Sequence, residues 1–596
     1  MNTSVLSSLG IASLLFSACN HATEGEAEQN ADKKNVILIM TDDQGYGDLG
    51  FTGNSIVKTP TTDSLAEESV QFTNFYVSPV SAPTRASLMT GRYSLRTGIY
   101  DTYNGGAIMA NEEVTVAEIL KDNGYHTGIF GKWHLGDNYP FRPIDQGFTT
   151  SLVHRSGGIG QVGDIANYFE FDSSYFDPVL YKNGKEVQTE GYCSDVYTEE
   201  AIDFIRENRA EPFFLYLSFN APHTPLQLPE EYYEMYKNID PSDREAFPGN
   251  RPFPDDMSES EKEAARKVYG MVTNIDDNME KLFTTLEENG LEENTLIIFL
   301  TDNGPQQRRY KGGFRGRKSS VYEGGIHVPF LMKLGDEFPS NKTVDVPAAH
   351  IDILPTILDI CNISMEKEVQ IDGKSLLPLI QGNELPWADR PLYFYWQRSY
   401  PEPYRNVAVR KGDYKLVGHA PYTASLEDLE LFNLEKDPYE QDNILSSNKE
   451  QAREFKSLFD DWYGKIMESP HLNEIQSIKV GIDQENPVIL NRNDAKGQPG
   501  IWNQMEIYGY WDIEVVQEAD YDIVFHFHKP LEESGTMNLR MGTVKRTIHN
   551  EMGMGENTRE ITMPGIHLKK GQYSVESWYS SQGRHILPFY VEIKQQ

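Results

Sequence analysis

The sequence predicts an α/β fold with a central sheet flanked by helices, followed by a C-terminal all-β domain. Two continuous apolar runs, Val36–Met40 and Leu296–Leu300, have the pattern of strands buried on both faces of a sheet. Helical and strand patterns alternate between them, as they do in layered α/β domains. From about Glu468 onward apolar and polar residues alternate with period 2, which is typical of antiparallel strands with one buried face.

Composition and charge exclude several classes of function. The chain of 596 residues has a formal net charge of −36, which argues against binding of nucleic acid or of anionic membrane surfaces. With 39% apolar and 11% aromatic residues it has the composition of a globular protein, and its length allows several domains. Three cysteines without a CxxC pair exclude a cysteine-ligated zinc site and a disulfide framework. We expect Cys193 and Cys361 to be two buried thiols, and a bridge between them, which periplasmic oxidation would permit, is the alternative.

The N-terminus has the features of an export signal. Val5–Phe16 is an apolar run of the length of a signal-peptide core, too short to span a membrane. It leads into Phe16-Ser-Ala-Cys19, which resembles a bacterial lipobox, although no Lys or Arg precedes the run and Phe replaces the usual Leu. We expect residues 1–19 to be a signal peptide with lipobox and residues 20–34 to be a linker. The protein is then exported, either periplasmic or anchored to the membrane through a lipid on Cys19, with plain secretion as the alternative.

Both apolar strands end in pairs of oxygen-bearing side chains. Asp42 and Asp43 follow the first strand, and Asp302 and Asn303 follow the second. Taken singly, such pairs are most often helix caps or turns. Because ligands bind outside the carboxyl ends of strands in open α/β sheets, two matched pairs predict one shared site. Hard oxygen ligands select Ca²⁺ or Mg²⁺ over zinc, and a group of carboxylates with an amide favours Ca²⁺.

A conspicuous stretch lies between these strands, from Ser81 to Arg92. Pro83 suits the first turn of a helix and Gly91 suits the residue after its end, which predicts a helix from Pro83 to Thr90. Ser81 then lies in the loop at the positive end of this helix, where anionic ligands bind favourably, and Arg85 can reach back from one turn further in. An ordinary Ser-Pro helix start is the alternative. A bare serine is a weak nucleophile, so any partners must come from elsewhere in the chain.

The remaining elements follow the α/β pattern. Thr198–Arg209 is a predicted helix with one apolar face, and Phe213–Phe219 is the strand after it. Val268–Leu286 carries an apolar stripe at helical spacing and stops at Gly290, which predicts a long amphipathic helix.

The Ser81 stretch resembles the signature of the type I sulfatases of the alkaline phosphatase superfamily. That signature is Cys/Ser-x-Pro-x-Arg followed by Thr-Gly-Arg, and every fixed position is filled here. In that family a maturation enzyme oxidises the Cys or Ser to formylglycine, an aldehyde whose hydrate attacks sulfur and later expels sulfate. Ser81 in place of Cys implies a serine-type bacterial member. The resemblance also implies that Asp42, Asp43, Asp302 and Asn303 hold one Ca²⁺ beside the modified Ser81.

Three further segments resemble motifs of the same family. They are Gly131–Gly136, Asn220–His223 and the run from Lys318 to Pro329, where His327 replaces an Arg and is expected to be structural.

These motifs imply roles for four side chains. The resemblance assigns His223 as general acid and Lys318 as a sulfate clamp. It assigns His134 as acceptor of the proton released when the aldehyde re-forms, and Lys132 as the residue that steadies the hydrate. The chemistry is reasonable, because lysines bind sulfate oxygens and a histidine of near-neutral pKa can protonate a departing alcohol.

The resemblance extends from about Asn35 to Tyr463 and sets the predicted domains. It implies an alkaline-phosphatase-like catalytic domain over residues 35–345, with a mixed central sheet flanked by helices. A smaller α+β subdomain follows over residues 346–467, carried by the matching segments 350–356, 372–378 and 430–438.

Residues 468–596 form the additional all-β domain, which we expect to be a sandwich. One interpretation is that it binds carbohydrate through Trp502, Trp511 or Trp578. The other, which we favour from the sequence, is that it is a structural appendage packed on the catalytic domain.

Two segments are predicted to contact substrate. His154 and Arg155 open a Gly-, Tyr- and Phe-rich segment that runs to Cys193, and long irregular insertions in compact domains are usually functional. Arg308 and Arg309 belong to a basic strip that continues to Lys318 and contains no acidic residue. A local positive strip can attract an anion into a pocket even in an acidic protein, because distant charges are screened.

The sequence therefore predicts an exported, Ca²⁺-dependent hydrolase that releases sulfate from a sulfated poly- or oligosaccharide, as in polysaccharide degradation. Its partners are the carbohydrate substrate and a formylglycine-generating maturation enzyme. One alternative is a phosphatase or phosphonate monoester hydrolase of the same superfamily, although two-zinc members need an Asp-His pair where this chain has Asp302-Asn303. Another is a non-catalytic glycan-binding protein, if Ser81 is not oxidised.

Overall fold

A mixed ten-stranded sheet forms the centre of the catalytic region. The computed structural model describes residues 33–596 apart from 171, 250, 366–368, 384–386, 388, 421, 475 and 552–557. The predicted signal peptide with Cys19 and most of the predicted linker lie outside the described residues. The strands of this region are β1 (Asn35–Thr41), β2 (Val70–Phe72), β3 (Phe75–Tyr76), β4 (His126–Lys132), β5 (Thr150–His154), β6 (Val179–Lys182), β7 (Lys185–Gln188), β8 (Phe213–Ser218), β9 (Thr295–Thr301), β10 (Phe330–Leu334), β11 (Lys342–Val344) and β12 (Ala348–Ala349).

The sheet runs in the order β11-β2-β10-β9-β1-β8-β4-β5-β6-β7, and β3 pairs with β12 beside it. Strands β9, β1, β8, β4 and β5 are parallel, whereas β10, β6 and β7 run antiparallel to a neighbour. The mixed sheet expected from the resemblance is confirmed.

Helices cover both faces of this sheet. In β1, Val36, Leu38 and Met40 belong to one hydrophobic core, and Ile37 and Ile39 belong to the other. This explains why the strand is apolar throughout, since successive side chains point to opposite faces. The helices within the described residues are Pro60–Glu68, Ser81–Thr90, Val116–Asp122, Cys193–Glu207, Glu230–Tyr236, Glu259–Glu288, Glu323–Ile326, Ile353–Ile360, Leu377–Ile380, Lys449–Ile466 and Pro470–Asn473.

Two of the predicted helices begin earlier than the apolar pattern indicates. The helix expected from Thr198 starts at Cys193, and the helix expected from Val268 starts at Glu259. A capping box fixes the second start, because the Ser258 side chain accepts from the backbone N–H of Glu261, whose carboxylate accepts from that of Ser258. The first turns of this helix carry mostly polar residues, so the apolar pattern could not show that the helix begins there.

The C-terminal part contains three more sheets. Strands β13 (Leu392–Tyr395), β14 (Arg405–Lys411), β15 (Tyr414–His419) and β16 (Leu429–Asn433) form an antiparallel sheet against the helix Lys449–Ile466. The following strands are β17 (Ile478–Val480), β18 (Val488–Asn491), β19 (Lys496–Gly497), β20 (Gly509–Val515), β21 (Ala519–Leu531), β22 (Gly535–Met541), β23 (Val544–Asn550), β24 (Thr558–Leu568), β25 (Gly571–Ser581), β26 (Arg584–Ile586) and β27 (Tyr590–Gln595).

Strands β17–β27 form two sheets over one shared core, and we call this unit the β domain. One sheet runs β17-β20-β25-β22-β23, with β19 and β26 attached to it, and the other runs β18-β27-β21-β24. Trp511 is fully buried in the shared core and donates its indole N–H to the Asn491 carbonyl, so it is not a surface for carbohydrate.

The β domain packs on the catalytic region through polar contacts. Asn138 donates to the Ile489 carbonyl at 3.0 Å, and Asn491 donates to Asp137 at 3.0 Å. The Gly497 N–H donates to the Asn104 side chain at 3.0 Å. Among the described residues, no helix combines the length and apolarity needed to cross a bilayer.

Candidate active site

The two acidic pairs meet at one edge of the central sheet. Strands β1 and β9 are adjacent and parallel, with Thr41 opposite Thr301, so the residues that follow them emerge side by side. The Asp43 N–H donates to Asp302 Oδ1 at 3.1 Å, and Asn303 Nδ2 donates to Asp43 Oδ1 at 2.8 Å. The predicted convergence of these side chains therefore occurs, and all of them are buried.

Ser81 points into this cluster from the start of its helix. Its Oγ lies 3.2 Å from Asp42 Oδ1 and 3.4 Å from Asn303 Oδ1. The helix begins at Ser81 and not at Pro83, because the Val80 carbonyl already accepts the Thr84 N–H at 3.3 Å. Ser81 is thus the first helical residue and still lies at the positive end of the helix dipole.

Arg85 ties this helix to the sheet. Its Nη2 contacts Asp302 Oδ2 at 2.9 Å, and its Nη1 donates to Ser218 Oγ at 2.5 Å and to the Lys132 carbonyl at 3.1 Å. The side chain is only 1% exposed. A guanidinium anchored through both terminal nitrogens fixes the orientation of Asp302 through its single contact with Oδ2, so Arg85 acts by positioning that carboxylate.

Two lysines lie on opposite sides of the acidic cluster. Lys132 Nζ is 2.6 Å from Asp42 Oδ2, and Lys318 Nζ is 2.6 Å from Asp43 Oδ1. Burial opposes ionisation of Asp42, but Lys132 and His223 outweigh it and hold the pKa of that carboxyl below its ordinary value. The pKa of Lys318 is raised, because Asp43 and neighbouring carboxylates outweigh its burial. These carboxylates are therefore ionised at neutral pH and able to act as ligands.

Two histidines complete the site. Burial, reinforced by Lys318, lowers the pKa of His223, and burial with Lys132 lowers that of His134 well below its ordinary value. Both rings are therefore neutral near pH 7. His223 Nδ1 lies 2.7 Å from the Thr224 carbonyl, and His134 Nε2 lies 3.0 Å from the Thr102 carbonyl. Since a carbonyl only accepts, these nitrogens carry the protons.

The cluster fits a hard divalent cation. Ligand atoms of Asp42, Asp43 and His223 lie within 4.8 Å of one another, and Asp43 Oδ2 is buried without a hydrogen-bond partner among the described residues. With Asp302 and Asn303 the donors are three carboxylates and an amide, the oxygen chemistry that Ca²⁺ prefers. An unpartnered buried carboxylate oxygen is costly, and a bound cation removes that cost.

A cavity of about 1160 Å³ opens above Ser81. Lys132, His134, His223 and Lys318 line its floor together with Ser81. Its walls come from parts of the chain that are distant in sequence. The wall includes Gln161, Tyr168 and Phe169 of the predicted segment and Arg317 of the basic strip. It also includes residues that the sequence did not indicate as site residues: Thr102, Tyr103, Arg398, Asn493, Asn503 and His528.

The prediction for Arg308 and Arg309 is wrong about their place. Arg309 is 1% exposed, and its guanidinium contacts both carboxylate oxygens of Asp48, at 2.7 and 2.6 Å. It also donates to the Asp43 carbonyl at 2.9 Å, so it supports the backbone beneath the site. Arg308 pairs with Asp256 and lines a different cavity, with Lys311 and Arg315. Of the basic strip, Arg317 and Lys318 line the cavity above Ser81.

The prediction for His154 and Arg155 is half right. Both line a small separate cavity, where Arg155 stacks on Tyr181 at 4.0 Å and pairs with Glu485 at 3.7 Å. His154 is fully buried at the end of β5, beside Lys132 on β4. The segment that follows them does line the cavity above Ser81, from Ser156 to Phe169.

The fold and this site together define a hydrolase of the alkaline phosphatase superfamily, of the type I sulfatase kind. The sequence profile of the Sulfatase family matches residues 34–363, and a profile for the C-terminal part of N-sulphoglucosamine sulphohydrolase matches residues 313–461. The chain belongs to the sulfatase family and is a sulfuric ester hydrolase.

Individual relatives agree with this assignment. Human arylsulfatase A is 33% identical over 467 residues, which cover 69% of this chain and 83% of that protein. The ulvan-active sulfatase of Formosa agariphila is 30% identical over 476 residues, which cover 77% of this chain and 85% of that protein. The crystal structure of Ps i-CgsB in complex with k-i-k-neocarrahexaose is 30% identical, with a TM-score of 0.63, and covers 74% of this chain and 95% of that chain.

Proposed function

We propose that the protein hydrolyses sulfate esters of a sulfated poly- or oligosaccharide at Ser81, after oxidation of Ser81 to formylglycine. The observation that supports this most directly is the position of Ser81 Oγ, 3.2 Å from Asp42 and 3.4 Å from Asn303 at the floor of a cavity with two lysines. The hydrated aldehyde supplies a hydroxyl nucleophile that a bare serine lacks. Serine-type maturation by a dedicated enzyme is part of this proposal.

One Ca²⁺ is the metal that we propose for the site. Asp42, Asp43, Asp302, Asn303 and the modified Ser81 would hold it. Bound there, the ion supplies positive charge that polarises a sulfate oxygen. Arg85 keeps Asp302 in its orientation for this role.

The surrounding side chains bind the sulfate group and move protons. Lys132 and Lys318 provide charged donors for sulfate oxygens on two sides of the cluster. His223 is the proposed general acid for the departing sugar hydroxyl. Its Nδ1 proton stays hydrogen-bonded to the Thr224 carbonyl, so the proton that it donates is one taken up by Nε2, which lies 3.7 Å from Asp43 Oδ2. His134 is the proposed proton acceptor, because its Nδ1 is buried without a hydrogen-bond partner among the described residues and its Nε2 carries the proton.

A sulfated glycan is the proposed substrate class. The cavity of about 1160 Å³ is larger than a simple aryl sulfate needs. Relatives named N-acetylgalactosamine-6-sulfatase and ulvan-active sulfatase, and a solved structure whose title mentions neocarrahexaose, support the same class. An exported location, periplasmic or anchored through a lipid on Cys19, would bring the enzyme to such polymers and is supported by the apolar run Val5–Phe16.

A release assay with a matched pair of serine variants tests the proposal. Sulfate released from 4-nitrophenyl sulfate and from sulfated oligosaccharides is measured by ion chromatography for wild type, Ser81→Ala and Ser87→Ala. Ser87 lies on the same helix and is equally buried, but it has no hydrogen-bond partner among the described residues. We expect Ser81→Ala to lose at least about 1000-fold in kcat/KM, because covalent attack has no substitute group, and Ser87→Ala to lose little. Substantial turnover by Ser81→Ala would refute the covalent mechanism.

A further inference from the structure

One wall of the cavity above Ser81 belongs to the β domain. Asn493, Gly500, Trp502, Asn503 and His528 line the cavity together with the catalytic residues. The domain packs on the catalytic region as the appendage interpretation expects, and it also contributes part of the cavity surface. Any ligand that fills the cavity contacts two structural units, and its outer part lies against the β domain.

Trp502 presents an aromatic surface at this wall. Its ring is half-buried and lies 6.3 Å from the ring of Tyr103, at an interplanar angle of 50°, and both residues line the cavity. Tyr103 belongs to the catalytic region, so the pair bridges the two units. The negative face of an aromatic ring attracts the polarised C–H bonds on the flat face of a sugar. A half-buried Trp and Tyr in an open cavity therefore suit a pyranose ring.

Arg398 adds a positive charge beside this surface. Its guanidinium lies 4.6 Å from the Tyr103 ring and 5.0 Å from the Trp396 ring. It is anchored through Nη1 alone, to Asp101 at 2.9 Å and to Thr102 at 2.6 Å. Within the described part of the chain, its Nη2 and Nε have no hydrogen-bond partner, and the side chain is 51% exposed. The unused edge of this fork can take a planar or tetrahedral anion through two hydrogen bonds.

A substrate sulfate group bound at Ser81 would not need the charge of Arg398. Lys132 and Lys318 already flank Ser81 at the floor, whereas Arg398 belongs to the wall with Tyr103 and Thr102. Arg398 lines the cavity with half of its side chain exposed, and Asp101 occupies only its Nη1. A ligand that pairs with the lysines at Ser81 and also with Arg398 carries two anionic groups, one on each of two neighbouring sugars.

We infer that Trp502, Tyr103 and Arg398 form a second subsite, which binds the sugar next to the one that is desulfated and recognises an anionic group on it. The anion is a sulfate ester or a uronate carboxylate, since both match the arginine fork. This inference rests on the proposed function and narrows it: the preferred substrate is an oligosaccharide with at least two acidic groups, and the β domain provides part of the specificity.

The test compares a small substrate with large ones in full-length protein. The variants are Trp502→Ala, Trp502→Phe and Arg398→Gln. The controls are Trp578→Ala, in the same domain, and Arg405→Gln, an exposed arginine paired with Glu402 in the same subdomain, neither of which lines the cavity. Initial rates are measured with 4-nitrophenyl sulfate, with κ-ι-κ-neocarrahexaose and with a chondroitin 6-sulfate tetrasaccharide. Thermal unfolding of each variant verifies that it is folded.

The expected result is a lower ratio of oligosaccharide activity to aryl sulfate activity in the variants. Trp502→Ala and Arg398→Gln should each lower kcat/KM for an oligosaccharide, mainly through KM, by about tenfold more than for the aryl sulfate. Trp502→Phe should recover most of the loss, and both controls should match wild type. A loss with Arg398→Gln on the carrageenan probe alone identifies a sulfate as the second anion, and a loss on the chondroitin probe alone identifies a carboxylate. Equal losses on all substrates, or no loss on any, would overturn the inference.

Failure of the subsite and failure of the proposed function give different results. If wild type cleaves the aryl sulfate but neither binds nor cleaves an oligosaccharide, the subsite is refuted and the sulfatase activity stands. If no substrate is cleaved, the proposed function fails, and calorimetric titration of the same oligosaccharides into wild type and Trp502→Ala decides on the subsite. Binding that weakens about tenfold in the variant supports it, and absence of binding overturns it.

Discussion

Each carboxylate of the candidate active site has a positively charged side chain in direct contact with it. Asp42 and Asp43 each contact a lysine at 2.6 Å, and Asp302 contacts Arg85 at 2.9 Å. In this buried site the two lysines hold the pKa values of Asp42 and Asp43 below the ordinary value, whereas burial and the charge of Asp42 raise the pKa of Asp302. Of the oxygens of these three carboxylates, Asp43 Oδ2 is the one that has no hydrogen-bond partner among the described residues.

This arrangement predicts a measurable effect of Ca²⁺ on stability. Addition of Ca²⁺ at about 100 times its Kd should raise the free energy of unfolding of wild type by about 2.7 kcal/mol, read as a rise in Tm. Asp302→Asn should reduce that rise, because one charged ligand is lost while the shape is kept. Asp276→Asn is the control, since Asp276 caps a distant helix through Thr61 and Thr62 and should lower Tm without changing the Ca²⁺ response. Equal Ca²⁺ responses in wild type and Asp302→Asn would contradict the assigned ligands.

The buried carboxyl group of Asp164 should make the stability of the fold depend on pH. Asp164 is buried in the cavity-lining segment, where its Oδ2 accepts from the Gly160 N–H and from Asn167, and burial raises its pKa to about 7. Between pH 4 and 7 the folded protein keeps this proton while the unfolded chain loses it, so this group lowers stability as pH rises and its effect is complete above pH 7. Asp164→Asn lacks the titration. We expect the free energy of unfolding of this variant, obtained from thermal unfolding, to exceed that of wild type by an amount that grows from pH 4 to 7 and then remains constant, at a few kcal/mol at most. A difference in Tm that is independent of pH would refute the raised pKa.

At the scale of elements, the helix Ser81–Thr90 determines where the nucleophile lies. All ten of its residues are buried, and Gly91 ends it at φ +66°, in the left-handed region. The sequence located this helix but set its start two residues late. Pro is tolerated throughout the first turn, where backbone N–H groups have no helical partner, so Pro83 does not mark the first residue.

Two glycine substitutions test how much that helix end contributes. Gly91→Ala should lower the free energy of unfolding by about 1 to 2 kcal/mol, because an L-residue is strained at this φ. A Cβ there would also lie 3.3 Å from Ile371. Gly464→Ala is the control in the last turn of the helix Lys449–Ile466, where a Cβ would meet nothing within 4 Å. It should stabilise by up to about 1 kcal/mol. Both values come from thermal unfolding, and a neutral Gly91→Ala would show that this helix end is not strained.

In the whole molecule, site residues that follow neighbouring parallel strands could be predicted from the sequence. Residues that reach the cavity only because distant parts of the chain pack together could not. Asp42, Asp43, Asp302 and Asn303 were placed correctly, because parallel strands present their carboxyl ends at one edge. Arg309 was misplaced, because a run of basic residues does not show which side chains will be buried against a carboxylate such as Asp48. Arg398 and His528 were not found at all, since only the docking of the C-terminal units places them at the cavity.

Formylglycine at position 81 has a distinct mass, so mass spectrometry of the peptide that contains Ser81 tests the proposed chemistry without any substrate. The protein is produced with and without a serine-type maturation enzyme, and the mass and the specific activity are measured on the same samples. We expect a fraction of this peptide to be about 2 Da lighter than the sequence requires, and the sulfatase activity to be proportional to that fraction. Full activity in protein whose Ser81 peptide is entirely unmodified would contradict the proposed chemistry.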